Sequence, residues 1–315
     1  MKVINESILL AIVLLGILLL PSCEREDPMA QEQYVKQVYM VNAYKDVAVF
    51  EVPYGDRPQE AYVSVALSGT LPSDNDVVVT LGRDDNAIPA YNDKYMRERP
   101  VLYQPLPDAN LLIPSLSSTI EAGDVYAHVP FEVNTDGLHC DSLYALAFKI
   151  DEVSAFQKNP LDTILLLNIK LVNDYSGDFQ LSARKFQVDP VITDRPDTVV
   201  LSKPSSISTT RVLTAVNDST VRFFHETNGE IYSDYDSNEK YWDALIKYGI
   251  TFTKKLDGTF KIQPWVLYDP DAPVRSVNVL AGQCTFDEEE GIFTFWYDYM
   301  EGSRRSRLQG SLSKL

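Results

Sequence analysis

The side chains equipped for chemistry are few and scattered. The chain has three His, at 128, 139 and 225, and three Cys, at 23, 140 and 284. A Ser or Cys nucleophile needs a base within hydrogen-bond reach, and none of the three His stands in a recognisable nucleophile motif. His128 falls on the polar side of an alternating run, His139 adjoins Cys140 after a Gly turn, and His225 closes a run. The Cys and His spacings match no zinc site. Cys140 and Cys284 are too far apart in sequence to form a disulfide framework, so both read as buried thiols. Carboxylates are plentiful and a glycosidase needs only two, but no long strand–helix alternation supplies a fold to hold them. Asp234-x-Asp236-x-Asn238 imitates the opening of a calcium loop. Glu239 then stands where Gly belongs, and Leu245 where the bidentate Glu belongs. Asp74, Asp76, Asp84 and Asp85 read as solvated loop acids, and no Gly-rich phosphate loop is present. These residues predict no enzyme, no cofactor and no metal, which leaves non-covalent binding.

Aromatic residues are the remaining candidates. A pyranose presents a C–H face that packs on an exposed ring, while Asp, Asn, Gln or Arg take its hydroxyls. All three Trp lie in the second half of the chain, at 242, 265 and 296. Trp242 is on the apolar face of a predicted helix and reads as core. Trp265 shares its strand face with Thr259, Lys261 and Gln263, and Trp296 shares one with Thr294 and Asp298. A Trp on a polar face is the informative kind, although either ring also suits a packed barrel interior. Tyr235 and Tyr241, with Tyr232, cluster among Asp234, Asp236 and Asn238 as a second rim or as a solvated helix entry. The carbohydrate-binding candidates are therefore Trp265, Trp296, Tyr235 and Tyr241.

The elements that must position these rings are strands. Ala61, Val63, Val65 and Leu67 alternate with polar or small residues, as do Val77, Val79 and Leu81, then Val125 to Val133, then Tyr144 to Ile150. With 34–43, 47–54 and 164–172 they make about seven strands before residue 173, which predicts an immunoglobulin-like β-sandwich. Tyr91–Glu98 predicts the one helical turn among them. A break at Asn173-Asp174-Tyr175-Ser176-Gly177 separates a second run of eight or nine strands, with Asp257-Gly258 as a hairpin turn. One helix starts at Ser237 or Asn238 and stops at Gly249. The fold class expected is all-β: an N-terminal sandwich over 34–173, then a lipocalin-like barrel with one short helix over 174–315.

The first residues and the charge set the compartment. Lys2 precedes an unbroken apolar run from Ile8 to Leu20, the length of a signal-peptide core and short of a membrane span. Leu20-Pro21-Ser22-Cys23 resembles a bacterial lipobox, so 1–22 is the expected signal and Cys23 the expected site of lipidation. Two or more acyl chains, at about 0.8 kcal/mol per buried methylene, anchor far better than one. Glu24-Arg25-Glu26-Asp27 resembles the surface-export signal of lipoproteins in glycan-degrading gut bacteria, and 24–33 reads as a polar tether. The localisation expected is the outer membrane, lipid-anchored and facing outward. With 28 Lys and Arg against 45 Asp and Glu, the net charge of −17 argues against nucleic-acid binding and disfavours attachment to anionic lipid by basic patches.

Two longer resemblances follow from motif order. Val77–Leu81, Arg83-Asp84-Asp85, Ala90-Tyr91-Asn92, Leu106-Pro107 and Ile120-Glu121-Ala122-Gly123 together resemble domain of unknown function 1735, over roughly 34–172. Tyr175-Ser176-Gly177-Asp178-Phe179, Tyr248-Gly249-Ile250, Asp257-Gly258-Thr259-Phe260 and Phe293–Tyr299 resemble the lipocalin-like domain of unknown function 4361. The resemblance implies an accessory glycan-binding lipoprotein of a Sus-like uptake system. Its partners would be an oligo- or polysaccharide and an outer-membrane transporter complex, and it carries no catalytic motif. The residues also leave open a structural or adhesive lipoprotein with a protein partner, and a barrel holding a small apolar molecule.

Overall fold

A computed structural model describes residues 30–43, 47–99, 101–188, 200–225, 240, 244, 248–265, 277–301 and 303–315. The signal segment, Cys23, most of the tether, Tyr232, Tyr235, Tyr241, Trp242 and the Asp234–Asn238 loop lie outside these residues. Lys240, Ala244 and Tyr248, spaced at one helical turn, are helical positions.

The alternating runs of the first half fold into two facing sheets. One has the order Gln157–Lys158, Gln37–Met40, Gln59–Leu67, Tyr126–Val133, Leu111–Leu112. The other has the order Ala48–Pro53, Ile164–Val172, Leu143–Val153, Val77–Arg83, Ser117–Ile120, with Tyr103–Pro105 pairing on Leu143–Val153. Period-two alternation sends one side of each strand inward. Val63, Val65, Val129 and Phe131 from one sheet meet Val79, Leu81, Leu146 and Phe148 from the other in a single core. Four short strands, Tyr103–Pro105, Leu111–Leu112, Ser117–Ile120 and Gln157–Lys158, go beyond the seven expected, because two to four residues carry too little alternation to read. The helical turn begins earlier than expected: an α-helix over Ala87–Tyr91 passes into a π-helical turn over Asn92–Met96. The tether ends docked rather than free, since Glu32 accepts hydrogen bonds from the Thr70 and Leu71 amides and pairs with Lys36.

The linker is pinned by its own polar residues. Asn173 Nδ2 donates to the carbonyls of Asn217 and Thr220, its Oδ1 accepts from the Tyr175 amide, and Gly177 takes φ +125°. Eight antiparallel strands then close a barrel by meander: Gly177–Gln187, Ser205–Ala215, Thr220–Phe224, Gly249–Lys254, Phe260–Pro264, Asn278–Asp287, Ile292–Glu301 and Arg304–Lys314. The last strand pairs with the first from Phe179↔Lys314 to Gln187↔Ser306, so the sheet has no open edge. Asp257-Gly258 turns a hairpin as expected, with Gly258 at φ +81° and the Asp257 carboxylate accepting from Thr259. Inside, Phe252 lies 5.0 to 5.5 Å from the rings of Phe223, Phe293 and Phe295. Tyr175 packs edge-on against Phe260 and Phe286 at the same core. A barrel of this size fills with side chains, and these rings occupy the volume that an apolar ligand would need.

Candidate functional site

Two concave regions carry the polar and aromatic residues that matter. The larger, about 580 Å³, lies between the domains. The sandwich contributes Arg99, Cys140, Asp141, Asn168 and Lys170, and the barrel contributes Ser176, Asp178, Thr214 and Arg222. At its floor Arg222 crosses from the barrel to the sandwich. Its Nη1 donates to Asp141 Oδ1 at 2.6 Å, its side chain is only 3% exposed, and its guanidinium carbon lies 4.9 Å from the Trp265 ring centre. His139 and Trp265 face each other at 6.4 Å across the same junction. Packing there, more than any other factor, pushes the Tyr54 phenol well above its usual range, with Cys140, Tyr144 and Asp141 adding to it.

Among the described residues, His139, Cys140 and Asp141 are the group that gathers metal-type ligand atoms, all within 4.8 Å. Arg222 argues against a cation there. Its fixed positive charge already sits on Asp141 and 4.0 Å from the Cys140 sulfur. Cys140 is therefore a half-buried junction residue, not the ordinary core thiol expected. Cys284 is the core thiol, free, inside the barrel, with burial raising its pKa.

The smaller region, about 390 Å³, is a groove on the outer wall of the barrel. Register builds it: Gln283, Trp296 and Gln309 sit side by side on three adjacent strands, and Thr285, Thr294 and Ser311 form the next rung. Gln283, Gln309, Thr285 and Thr294 are exposed. Trp296 Nε1 donates to Gln283 Oε1 at 3.1 Å. Behind it the Arg307 guanidinium lies 4.2 Å from the indole centre, while its Nε and Nη2 fork onto Asp298 at 2.6 and 3.0 Å. Arg305 also binds Asp298, and all three charged side chains are buried. The groove itself presents two amides, three hydroxyls and an indole, with no charged group among its lining residues.

The four predicted aromatics do not make one platform. Trp265 is 5% exposed and Trp296 is 7% exposed, so neither presents a free face. Arginine covers part of each ring: Arg307 reaches Trp296 from the adjacent strand, and Arg222 reaches Trp265 from across the intervening strand Gly249–Lys254. Trp265 follows directly on the strand Phe260–Pro264 and packs with Phe224 and Ala244 at the domain junction, away from the groove that holds Trp296. Tyr235 and Tyr241 lie outside the described residues. Sequence reasoning missed Gln283, Gln309, Asp141 and Arg222. The two Gln share the outward parity of their strands, a signal that becomes specific only once register places them beside Trp296. Of the loop acids, Asp76 accepts from the Ala122 amide and Asp85 pairs with Arg83, so both have structural work.

Comparison with known proteins defines the class. Residues 34–157 match a family model described as an N-terminal domain, and residues 163–313 match one described as a C-terminal domain. The chain thus carries both domains that these family models describe. The strand Ile164–Val172 falls within the second match yet pairs in the sandwich, between Ala48–Pro53 and Leu143–Val153. No curated protein matches the sequence. Among solved structures, a multidomain protein from Bacteroides ovatus that includes domain of unknown function 1735 is similar over 89% of this chain and 94% of its own. Its TM-score is 0.58 at 18% identity. A second Bacteroides ovatus protein, of unknown function, gives 0.59 at 18% identity over 89% and 94% of the two chains. An auxiliary nutrient binding protein from Bacteroides thetaiotaomicron gives 0.51 at 15% identity, over 86% and 91%. At these identities the likeness is one of fold.

Proposed function

We propose that this protein is a non-catalytic, cell-surface glycan-binding lipoprotein that assists a polysaccharide uptake system. The observation carrying the reading is the Gln283–Trp296–Gln309 groove. Its amides and hydroxyls offer donors and acceptors to sugar hydroxyls, and its lack of charge suits a neutral ligand. An auxiliary nutrient binding protein with the same two-domain fold supports it. Further support is the lipobox-like Leu20–Cys23 with its acidic sequel, which fits a protein anchored through Cys23 on the outer membrane and facing outward; a Sus-like transporter is the partner this reading assigns. The barrel fits the lipocalin-like domain of unknown function 4361. The non-catalytic part of the reading rests on the sequence, in which none of the three His stands in a recognisable nucleophile motif.

The test is calorimetry of residues 24–315 against a panel of short neutral oligosaccharides. Binding that weakens about tenfold in Gln283→Ala/Gln309→Ala is expected, since two hydrogen bonds of about 0.5–1.5 kcal/mol each are lost. Wild-type affinity in that variant would remove the groove from the reading. No binding of any glycan, short or polymeric, would end the reading itself.

A further inference from the structure

The outer face of the first sandwich sheet carries a second feature that neither the groove nor the cleft uses. Tyr62 and Tyr126 are 62% and 56% exposed, on strands whose opposite face is core. His128 lies between them, its ring centre 4.3 Å from that of Tyr62 and 5.2 Å from that of Tyr126. The register Tyr62↔Pro130, Ser64↔His128, Ala66↔Tyr126 lays these residues as a diagonal strip across two strands. Tyr39, opposite Ala66 on the next strand, extends it. Ser64 Oγ bonds His128 Nδ1 at 3.0 Å and fixes the imidazole. From Tyr126 to Pro130 the strip runs about 13 Å along the strand.

Large aromatic side chains grouped on a solvent-facing sheet are uncommon unless something covers them. The occupant is constrained by charge. Lys158 is the only Lys or Arg in the five strands of this sheet, and its Nζ donates to the Ile150 and Asp151 carbonyls. At the Pro130 end of the strip, Glu60 and Glu132 stand directly opposite each other. With a net charge of −17 on the whole chain, uronate or sulfate chains are repelled. A row of rings, with Tyr62 and Tyr126 tilted 53° and 54° to the imidazole between them, offers separate faces to the C–H faces of successive sugars along a twisted neutral chain.

We infer that this face is a second carbohydrate-binding surface, selective for extended, uncharged polysaccharide chains, with Tyr62, His128 and Tyr126 as the stacking residues. The ligand class rests on the glycan-binding reading above, but the site is independent of the barrel groove. Binding at both places makes one protein bivalent for one chain, so that holding at the platform raises the effective concentration at the groove.

The test is affinity electrophoresis of residues 24–315 in gels containing galactomannan, arabinoxylan, amylopectin, polygalacturonate or chondroitin sulfate. Tyr62→Ala/Tyr126→Ala is compared with Gln283→Ala/Gln309→Ala, and thermal melting confirms that both fold. The expected result is retention by a neutral polymer that falls at least about tenfold in the tyrosine variant, as for truncation of two anchor residues. Calorimetric binding of a short oligosaccharide at the groove should be unchanged in that variant. Wild-type retention of the tyrosine variant on every retaining neutral polymer overturns the inference, as does wild-type retention by the acidic polymers alone. In both cases glycan binding itself survives. A tyrosine variant that differs only in sedimentation, having lost self-association, also overturns it and assigns the face to a second copy of the chain.

Discussion

At the scale of single residues, arginine limits what Trp265 and Trp296 can do. Trp296 keeps the outward parity read from its strand, with Thr294 and Asp298 on the same face, yet Arg307 stacks on it and is itself held by Asp298. The indole is therefore a fixed wall whose Nε1 orients Gln283, not a free ring. Parity was legible in the sequence; burial was not, because it depends on a guanidinium from the next strand. Asp298 is the pivot, taking Arg305 and Arg307 where none of the three side chains meets solvent. Removing one partner of a buried pair costs about 3–5 kcal/mol, because the others keep their desolvation penalty. Asp298→Asn should lower barrel stability by that order in urea denaturation. It should also weaken oligosaccharide binding in whatever fraction remains folded, as Arg307 no longer fixes Trp296. A loss below about 1 kcal/mol would show that other contacts hold the two arginines.

At the scale of elements, alternation gave the long strands and their inward faces with little error, because one buried side imposes period two. It failed for strands of two to four residues and for pairing between distant strands. Tyr62 and Tyr126 stood at polar-face positions in the sequence, but their meeting with His128 depends on the register Val63↔Val129, which pairs strands 66 positions apart. The closure of the barrel is a similar case. Its last seam brings Gly310 opposite Ala183. A Cβ at Gly310 would lie 2.6 Å from Ala183 Cα and closer still to the Ser182 carbonyl oxygen. Neither atom belongs to a flexible side chain, so the strands must part. Gly310→Ala should cost about 1–3 kcal/mol as an overpacking change. Hydrogen exchange should report it first along Gly177–Gln187 and Arg304–Lys314. Unaltered protection across that seam would show that the strands separate there without loss. Cys284, on the barrel's inner face, offers a convenient thiol-labelling probe of the same opening.

At the scale of the whole molecule, the two domains meet through a contact that no linear reading locates: Asp141 and Arg222 lie 81 positions apart, one in each domain. Arg222 serves both sides, pairing with Asp141 in the sandwich and covering Trp265 in the barrel. The short pinned linker keeps the domains close, and this pair fixes their angle and closes the floor of the 580 Å³ cleft. Interfaces within a chain default to relative motion unless they are large and apolar, so a buried ion pair here has unusual leverage over domain coupling. Arg222→Ala removes the charge facing Asp141 and uncovers Trp265. Asp141 keeps 13% exposure, which puts the expected cost at about 3 kcal/mol, the lower end for a broken buried pair. The wild type should melt in one calorimetric transition and Arg222→Ala in two, the sandwich and the barrel separately. The Asp141→Asn change should give the same separation, and the double variant should add little to either, since both single changes break one contact. Additive losses with a single transition retained would mean that the pair stabilises each domain locally and that coupling runs through the Asn173 linker instead. If the two proposed glycan surfaces both hold, one on each domain, this angle also sets the path a bound chain must follow from the platform to the groove. Domain uncoupling should therefore weaken retention by long polymers while leaving short oligosaccharides unaffected.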